Sequence, residues 1–186
     1  MRIITGTSRG TKLRTLEGID TRPTTEICKE GVFSAIQFDI ADRYVLDLFG
    51  GSGQMALEAL SRGGERAVIV DNSRRACEII KSNAEATKSI KQCRIVCNDW
   101  QDFLRYTAGK EKFGLVFLDP PYTPELLDSI ISKLIQCDVL TDDAIIVAES
   151  DRDGVPQPVD GFRTKLYRYG KTFVSILRRE QRESEE

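Results

Sequence analysis

Arg43-Tyr44-Val45-Leu46-Asp47-Leu48-Phe49-Gly50-Gly51-Ser52-Gly53 runs from an apolar stretch into a glycine-rich bend. Met55, Ala56, Ala59 and Leu60 then recur at helical spacing. The order is strand, glycine turn, helix. Glycines permit a tight turn and close backbone approach, and a helix start offers N–H groups to a polar ligand.

Gly51, Gly53 and Ala56 also satisfy the dinucleotide spacing G-x-G-x-x-G/A, so the loop alone fits NAD and S-adenosylmethionine equally well, and a plain tight turn is its bland reading. Asp47 is more telling: a carboxylate suits a cationic amino-acid tail better than a pyrophosphate.

Downstream, strands alternate with helices. Glu65 to Val70 forms a second strand, and Asp71 follows about twenty residues after the glycine loop, where an acid accepts ribose hydroxyls. A helix carries Ala76, Ile79, Ile80 and Ala84 on one face. A third strand, Cys93 to Cys97, leads to Asn98-Asp99. Asp99 has two readings: an adenine-edge contact, or an N-cap, with Asp102 three residues on, for a helix from Trp100 to Tyr106.

The fourth strand, Phe113 to Leu118, ends in Asp119-Pro120-Pro121-Tyr122. Asp119 and Pro120 each precede a proline, which drives both away from the helical region. Neither proline carries an N–H, so the Pro120 carbonyl and the Asp119 carboxylate form an acceptor-only pair suited to an amino group. Tyr122 adds a flat face for stacking a nucleobase. The bland alternative is a rigid turn in which Asp119 merely caps.

Leu126, Leu127, Ile130, Ile131 and Leu134 make the next helix amphipathic. Asp143 to Glu149 gives a fifth strand, a loop with Pro156 and Pro158 follows, and two strands flank Gly170-Lys171 as a hairpin. This alternation predicts an α/β fold built on a mostly parallel, doubly wound sheet. There the first and fourth strands are neighbours at the switch point, and ligands bind beyond their carboxyl ends. The Asp47 to Gly53 loop and the Asp119 turn then become two walls of one cleft. The closing antiparallel hairpin is what a seven-stranded, Rossmann-like methyltransferase sheet adds.

The 186 residues predict one domain: a basic hairpin arm over 1–20, a helix over 21–40, a sheet core over 43–180 and a charged, fraying tail over 181–186. Net charge is −2, so nucleic-acid binding depends on a local patch. Met1 to Arg14 supplies the candidate: Arg2, Arg9, Lys12 and Arg14 meet no acid in sequence until Glu17, and are either a solvated hairpin or a phosphate-contacting arm. Thr21-Arg22-Pro23-Thr24-Thr25 reads as a helix entry, with a helix running to about Phe38 and burying Cys28, Val32, Ala35 and Ile36.

Histidine is absent, which removes Ser-His-Asp and Cys-His pairs and disfavours catalytic zinc. The five cysteines include no C-x-x-C pair and read as reduced thiols, with no metal site expected. No signal peptide, lipidation motif or long apolar span is expected, which points to the cytoplasm and no membrane.

Four stretches together resemble the bacterial small-subunit ribosomal RNA guanine-N2 methyltransferases of the RsmD type. They are Met1-Arg2-Ile3-Ile4 with Gly6 and Gly10, Thr21 to Thr25, Asp47 to Gly53 with Leu57 to Gly63, and Asp119 to Tyr122. The Asp-Pro-Pro-Tyr turn by itself resembles the motif of amino-group methyltransferases. The resemblance implies S-adenosylmethionine as donor and one guanine of 16S rRNA, the family site guanine 966, on the 30S subunit as acceptor. A monomer is expected.

By position, the resemblance gives Asp47, Phe49, Gly50, Gly51, Ser52, Gly53, Asp71, Asn72, Asn98 and Asp99 to the cofactor. Asp119, Pro120, Pro121 and Tyr122 go to the base, Arg2, Arg9, Lys12 and Arg14 to RNA, and Arg22 to either cofactor or RNA. There are three departures from the family pattern: Gly50 for a common alanine, Gln54-Met55 for Ala-Leu, and Thr7 for a basic residue. Two rival functions are an N6-adenine methyltransferase, since the same turn serves that amine, and an idle RNA-binding assembly factor on this fold.

Overall fold

The computed structural model describes residues 1–16, 26–121, 123, 125–152 and 154–180. The expected helix entry with Arg22, the ring of Tyr122 and the tail over 181–186 lie outside the described residues.

The first strand β1, Tyr44–Asp47, is apolar because helices cover both its faces. It pairs in parallel with β2, Arg66–Asp71, on one side and with β4, Phe113–Leu118, on the other. Beyond β2 lies β3, Cys93–Cys97; beyond β4 lies β5, Leu140–Ser150. The last strands, β6 (Phe162–Tyr169) and β7 (Thr172–Arg179), complete a seven-stranded sheet of order β3-β2-β1-β4-β5-β7-β6, with β7 antiparallel to both neighbours.

Side-chain alternation sorts the core into two layers. Val45, Ile69, Leu115, Phe117 and Val147 face α1 (Glu26–Ala35), α2 (Gln54–Ser61) and α3 (Arg74–Ala86). Leu46, Val68, Val116, Leu118 and Ala148 face α4 (Trp100–Thr107) and α5 (Leu126–Gln136). By the same parity Asp47, Asp119 and Glu149 continue the first row, so all three acids leave their strands toward the α1–α2 face.

Some boundaries differ from the sequence reading. β1 is shorter because the chain leaves the sheet at Leu48 for the glycine turn. β5 begins earlier, at Leu140, because Leu140 pairs with Phe113; Thr141 to Ala144 then have no partner in the β4 register, which resumes with Leu115 opposite Ile145. Helix α1 stops at Ala35, and Asp39 N–H turns back to the Ile36 carbonyl at 2.8 Å, leaving Phe38 exposed.

The amino-terminal hairpin closes through one antiparallel bridge, Arg2 with Lys12, and is fastened to the core. Gly6 lies against α2, where a Cβ would come within 1.7 Å of the Ser61 carbonyl oxygen. Glu58, fully buried on α2, accepts the N–H groups of Ile4 at 2.8 Å and Thr5 at 3.0 Å and the Arg62 Nε–H at 2.8 Å. Lys29 Nζ, equally buried, lies 3.3 Å from the same carboxylate and donates to the Arg2 carbonyl at 2.6 Å. Burial lowers the Lys29 pKa, and Glu58 opposes that shift.

A buried ion pair stripped of one partner typically costs about 3–5 kcal/mol. Glu58→Ala should therefore lower Tm by roughly 6–20 °C for a chain of this size. Lys29→Met with Glu58→Leu should restore part of it in a thermal melt, since the stranded charge is gone.

Candidate active site

Beyond the carboxyl ends of β1, β2 and β4 lies a cavity of about 940 Å³. The register fixes its two walls: Asp47 pairs with Phe117, so the glycine loop leaves β1 beside the strand whose next turn is Asp119-Pro120-Pro121. Leu48 N–H binds the Phe117 carbonyl at 3.1 Å, holding the two exits together.

The glycine loop closes on itself through Gly50 N–H to the Val70 carbonyl, 2.8 Å, and Gly53 N–H to the Gly50 carbonyl, 2.6 Å. Gly51 and Gly53 sit at φ of +54° and +77°, which favours glycine at both, and Gly53 caps α2 in the left-handed region. At Gly50 a Cβ would meet Ile69 Cγ2 at 2.5 Å. The family's alanine at this position thus requires a different neighbour, which accounts for one of the three departures.

Asp47 is buried at the foot of the loop, and its carboxylate accepts the Ala56 N–H of α2 at 3.4 Å. One donor of the helix start, expected to be open to a ligand, is therefore directed at Asp47 instead. Burial pushes the Asp47 carboxyl up to about 7; Asp71 adds to the shift, while the N–H groups of Ala56 and Phe49 oppose it. Asp71, at the end of β2, accepts Gly51 N–H and Ser73 N–H, both at 2.8 Å, one on each oxygen. It thereby ties the glycine loop to the start of α3 and keeps lone pairs for further donors.

Asn72 and Asn98 also line the cavity. Asp99 lines it too, and its side chain accepts Gln101 N–H at 2.8 Å. It is the N-cap of α4, so that reading holds, and the exposed carboxylate also faces the cavity.

Asp119 has open surface toward the cavity yet sits in a concave wall with protein behind it. Burial, then Glu149, then Asp47 push its carboxyl well above the usual carboxylate range. Glu149 is a participant that the sequence reading took only as a strand end. The pairing of Leu118 with Ala148 carries it alongside Asp119, and both line the cavity. Buried Cys28 of α1 lies behind them; burial, Glu149 and Asp119 push its thiol up to about 12.

The amino-terminal segment was also missed as a wall. Met1, Thr15 and Leu16 line the cavity, and Ser52 Oγ–H points to Met1 Sδ at 3.5 Å. Buried Asn83 is the fastener: its Nδ2 donates to the carbonyls of Arg14, 3.0 Å, and Ser52, 2.8 Å, while its Oδ1 accepts Arg14 N–H at 2.8 Å.

Of the four basic arm residues, Arg9, Lys12 and Arg14 are exposed, whereas Arg2 pairs with Glu26 of α1 at 3.5 Å. Folding thus takes Arg2 out of the basic patch by returning α1 to the bridge.

Five carboxylates, those of Asp47, Asp71, Asp99, Asp119 and Glu149, border the cavity, and no lysine or arginine does so among the described residues. Such a lining repels a pyrophosphate and welcomes a cation.

The strand order with β7 inserted antiparallel, the glycine turn after β1 and the acceptor-only turn after β4 define a Rossmann-like, S-adenosylmethionine-dependent methyltransferase. Residues 1–178 match the family model described as Conserved hypothetical protein 95. The chain belongs to this family, the RsmD family of the sequence resemblance.

YlbH of Bacillus subtilis is 37% identical over 182 residues, 96% of this chain and 99% of that one. Ribosomal RNA small subunit methyltransferase D of Haemophilus influenzae is 33% identical over 154 residues, 82% of this chain and 80% of its own. Among solved structures, YhhF of Escherichia coli has a TM-score of 0.86 at 31% identity, covering 98% of this chain and 99% of that one.

Among the described residues, no helix is long and apolar enough to cross a membrane.

Proposed function

We propose that the chain methylates the exocyclic N2 of one guanine in 16S rRNA, guanine 966 by family position, using S-adenosylmethionine. The acceptor is the assembled or assembling 30S subunit in the cytoplasm, met by a monomer. The observation that carries this reading is a cavity whose charged side chains are all carboxylates, in which Asp47 and Asp119 leave adjacent parallel strands toward the same face.

The residues fit the cofactor. A buried, unusually basic carboxyl at Asp47 suits an ammonium, Asp71 has lone pairs for ribose hydroxyls, and Asn72, Asn98 and Asp99 border the place for an adenine. Phe49, Gly50, Gly51, Ser52 and Gly53 supply the close wall. When bound, S-adenosylmethionine supplies an electrophilic methyl group on a sulfonium.

The acceptor amine is a weak nucleophile because its lone pair is shared with the ring. Asp119 and the Pro120 carbonyl accept its two hydrogens and turn the lone pair out of the ring plane. Positive charge that develops on the nitrogen meets the Asp119 carboxylate already in place. Orientation of two reactants can contribute on the order of 7–11 kcal/mol. Pro121 stiffens the turn, and Tyr122 stacks the unstacked base, worth about 1–3 kcal/mol. Arg9, Lys12 and Arg14 add phosphate contacts, and the family resemblance assigns Arg22 to cofactor or RNA.

The test is to incubate the protein with methyl-labelled S-adenosylmethionine and unmethylated 30S subunits, naked 16S rRNA or DNA, then digest and identify the labelled nucleoside. N2-methylguanosine at one position is expected. N6-methyladenosine would select the adenine rival, and cofactor binding without any labelled product would select the assembly factor.

A further inference from the structure

The sheet has an exposed edge next to the cavity, and its charge is unlike the rest of the chain. Between Gly161 and Arg179 there are six cations and no acid, in a chain of net charge −2. Arg178 is paired with Asp39 at 2.9 Å, and Arg179 is bound to the carbonyls of Leu140 and Thr141. Arg163, Lys165, Arg168 and Lys171 are exposed and take no part in an ion pair among the described residues. They outnumber the exposed, unpaired cations of the amino-terminal arm.

Geometry connects this edge to the site. Tyr167 of β6 pairs with Val174 of β7, and Val174 pairs with Glu149 of β5. Val174 and Glu149 line the cavity, and Glu149 lies alongside Asp119. One cross-strand row therefore runs from the acceptor turn to the sheet edge, three strand spacings or roughly 14 Å.

On the same face of β6, Tyr167 and Tyr169 stack with ring centroids 6.4 Å apart, and Lys165 Nζ lies 5.1 Å from the Tyr167 ring. Tyr169 is wedged over Gly31 of α1, where a Cβ would meet its ring at 2.3 Å, so the ladder is braced from behind. Arg163 stands directly opposite Arg178, whose charge Asp39 already meets, so Arg163 itself is left for an outside anion.

From this arrangement we infer that the β6 edge, through Arg163, Lys165, Arg168 and Lys171, docks the phosphate backbone of the RNA flanking the target nucleotide. The inference rests on the rRNA reading above and adds the surface that holds the strand while the base enters the cavity. Edge cations also guard sheets against edge-to-edge pairing, so the test must separate charge against RNA from charge against aggregation.

The variant Arg163→Gln/Lys165→Gln/Lys171→Gln is compared with a control of equal charge change at the opposite end of the sheet, Lys110→Gln/Lys112→Gln/Lys133→Gln. Binding to 30S subunits and to naked 16S rRNA is measured across salt concentrations, with single-turnover rates at saturating RNA and light scattering for association state.

At roughly 0.7 of log–log slope per single-strand phosphate contact, the β6 variant should flatten the salt dependence by about 2. Its saturated rate should stay within about twofold of the parent, and the control should leave the slope unchanged. A β6 variant that aggregates but keeps the parent slope, or a control that flattens it equally, overturns the docking assignment. A parent protein that methylates no RNA refutes the rRNA reading itself, which is a separate outcome.

Discussion

Asp119→Ala should leave a folded protein that binds S-adenosylmethionine within a few-fold of the parent yet loses about 10²–10³ in single-turnover methyl transfer, the usual cost of removing one group aimed at developing charge. Asp119→Asn keeps an acceptor oxygen without its charge and should fall between. The pH profile follows from the raised carboxyl. Asp119 gives the nitrogen a counter-charge only when ionised, so the rate should rise with pH through that raised value. Glu149→Gln removes the neighbouring negative charge and should move the acid limb to lower pH. An Asp119→Ala protein that transfers at the parent rate, or a limb unmoved in Glu149→Gln, contradicts the assignment.

The second large effect belongs to Asp47, where stability and binding should move in opposite directions. Its carboxyl is held at about 7 in the fold against 3.8 for an ordinary aspartate. A carboxyl raised on folding stabilises the protein below the unfolded value. That contribution is lost as pH rises from about 4 through about 7. At roughly 1.4 kcal/mol per pKa unit, the cost at pH 8 is on the order of 4 kcal/mol.

Asp47→Asn should therefore raise Tm by several degrees at pH 8, with the advantage shrinking toward pH 4. The same change should weaken cofactor binding at least tenfold, because the neutral amide gives an ammonium no counter-charge. Calorimetry near pH 7 in buffers of different ionisation heat should show the parent releasing protons on binding and Asp47→Asn releasing none. A destabilised Asp47→Asn protein at pH 8, with parent-like affinity, contradicts this account.

Local chemistry made most of the fold and part of the site legible. The glycine bend after an apolar run, the acid twenty residues later and the carboxylate before two prolines are each set by neighbours in sequence, and alternating elements supply the rule that joins β1 to β4. Glu149 was legible as a strand end only. Its nearness to Asp119 depends on the β4–β5 register, which no local pattern encodes.

No local pattern marks Lys29 or Glu58 for burial. They are buried because the first eight residues fold back over α2, a long-range event. Arg2 looked unpaired for the same reason, since Glu26 returns to it through tertiary packing. The cations of β6 are plain in the sequence, but a strand's exposed row becomes a patch only when the strand is the sheet's edge, and strand order is set by tertiary pairing.

The glycine loop and the Asp-Pro-Pro turn border one pocket, which we propose holds an adenosyl sulfonium against a flat amine. A crystal structure of the protein with S-adenosylhomocysteine tests it directly. The account predicts the ammonium at Asp47, the ribose at Asp71 and the sulfur turned toward Asp119. Density for the ligand elsewhere, or in this cavity with the sulfur turned away from Asp119, would contradict it.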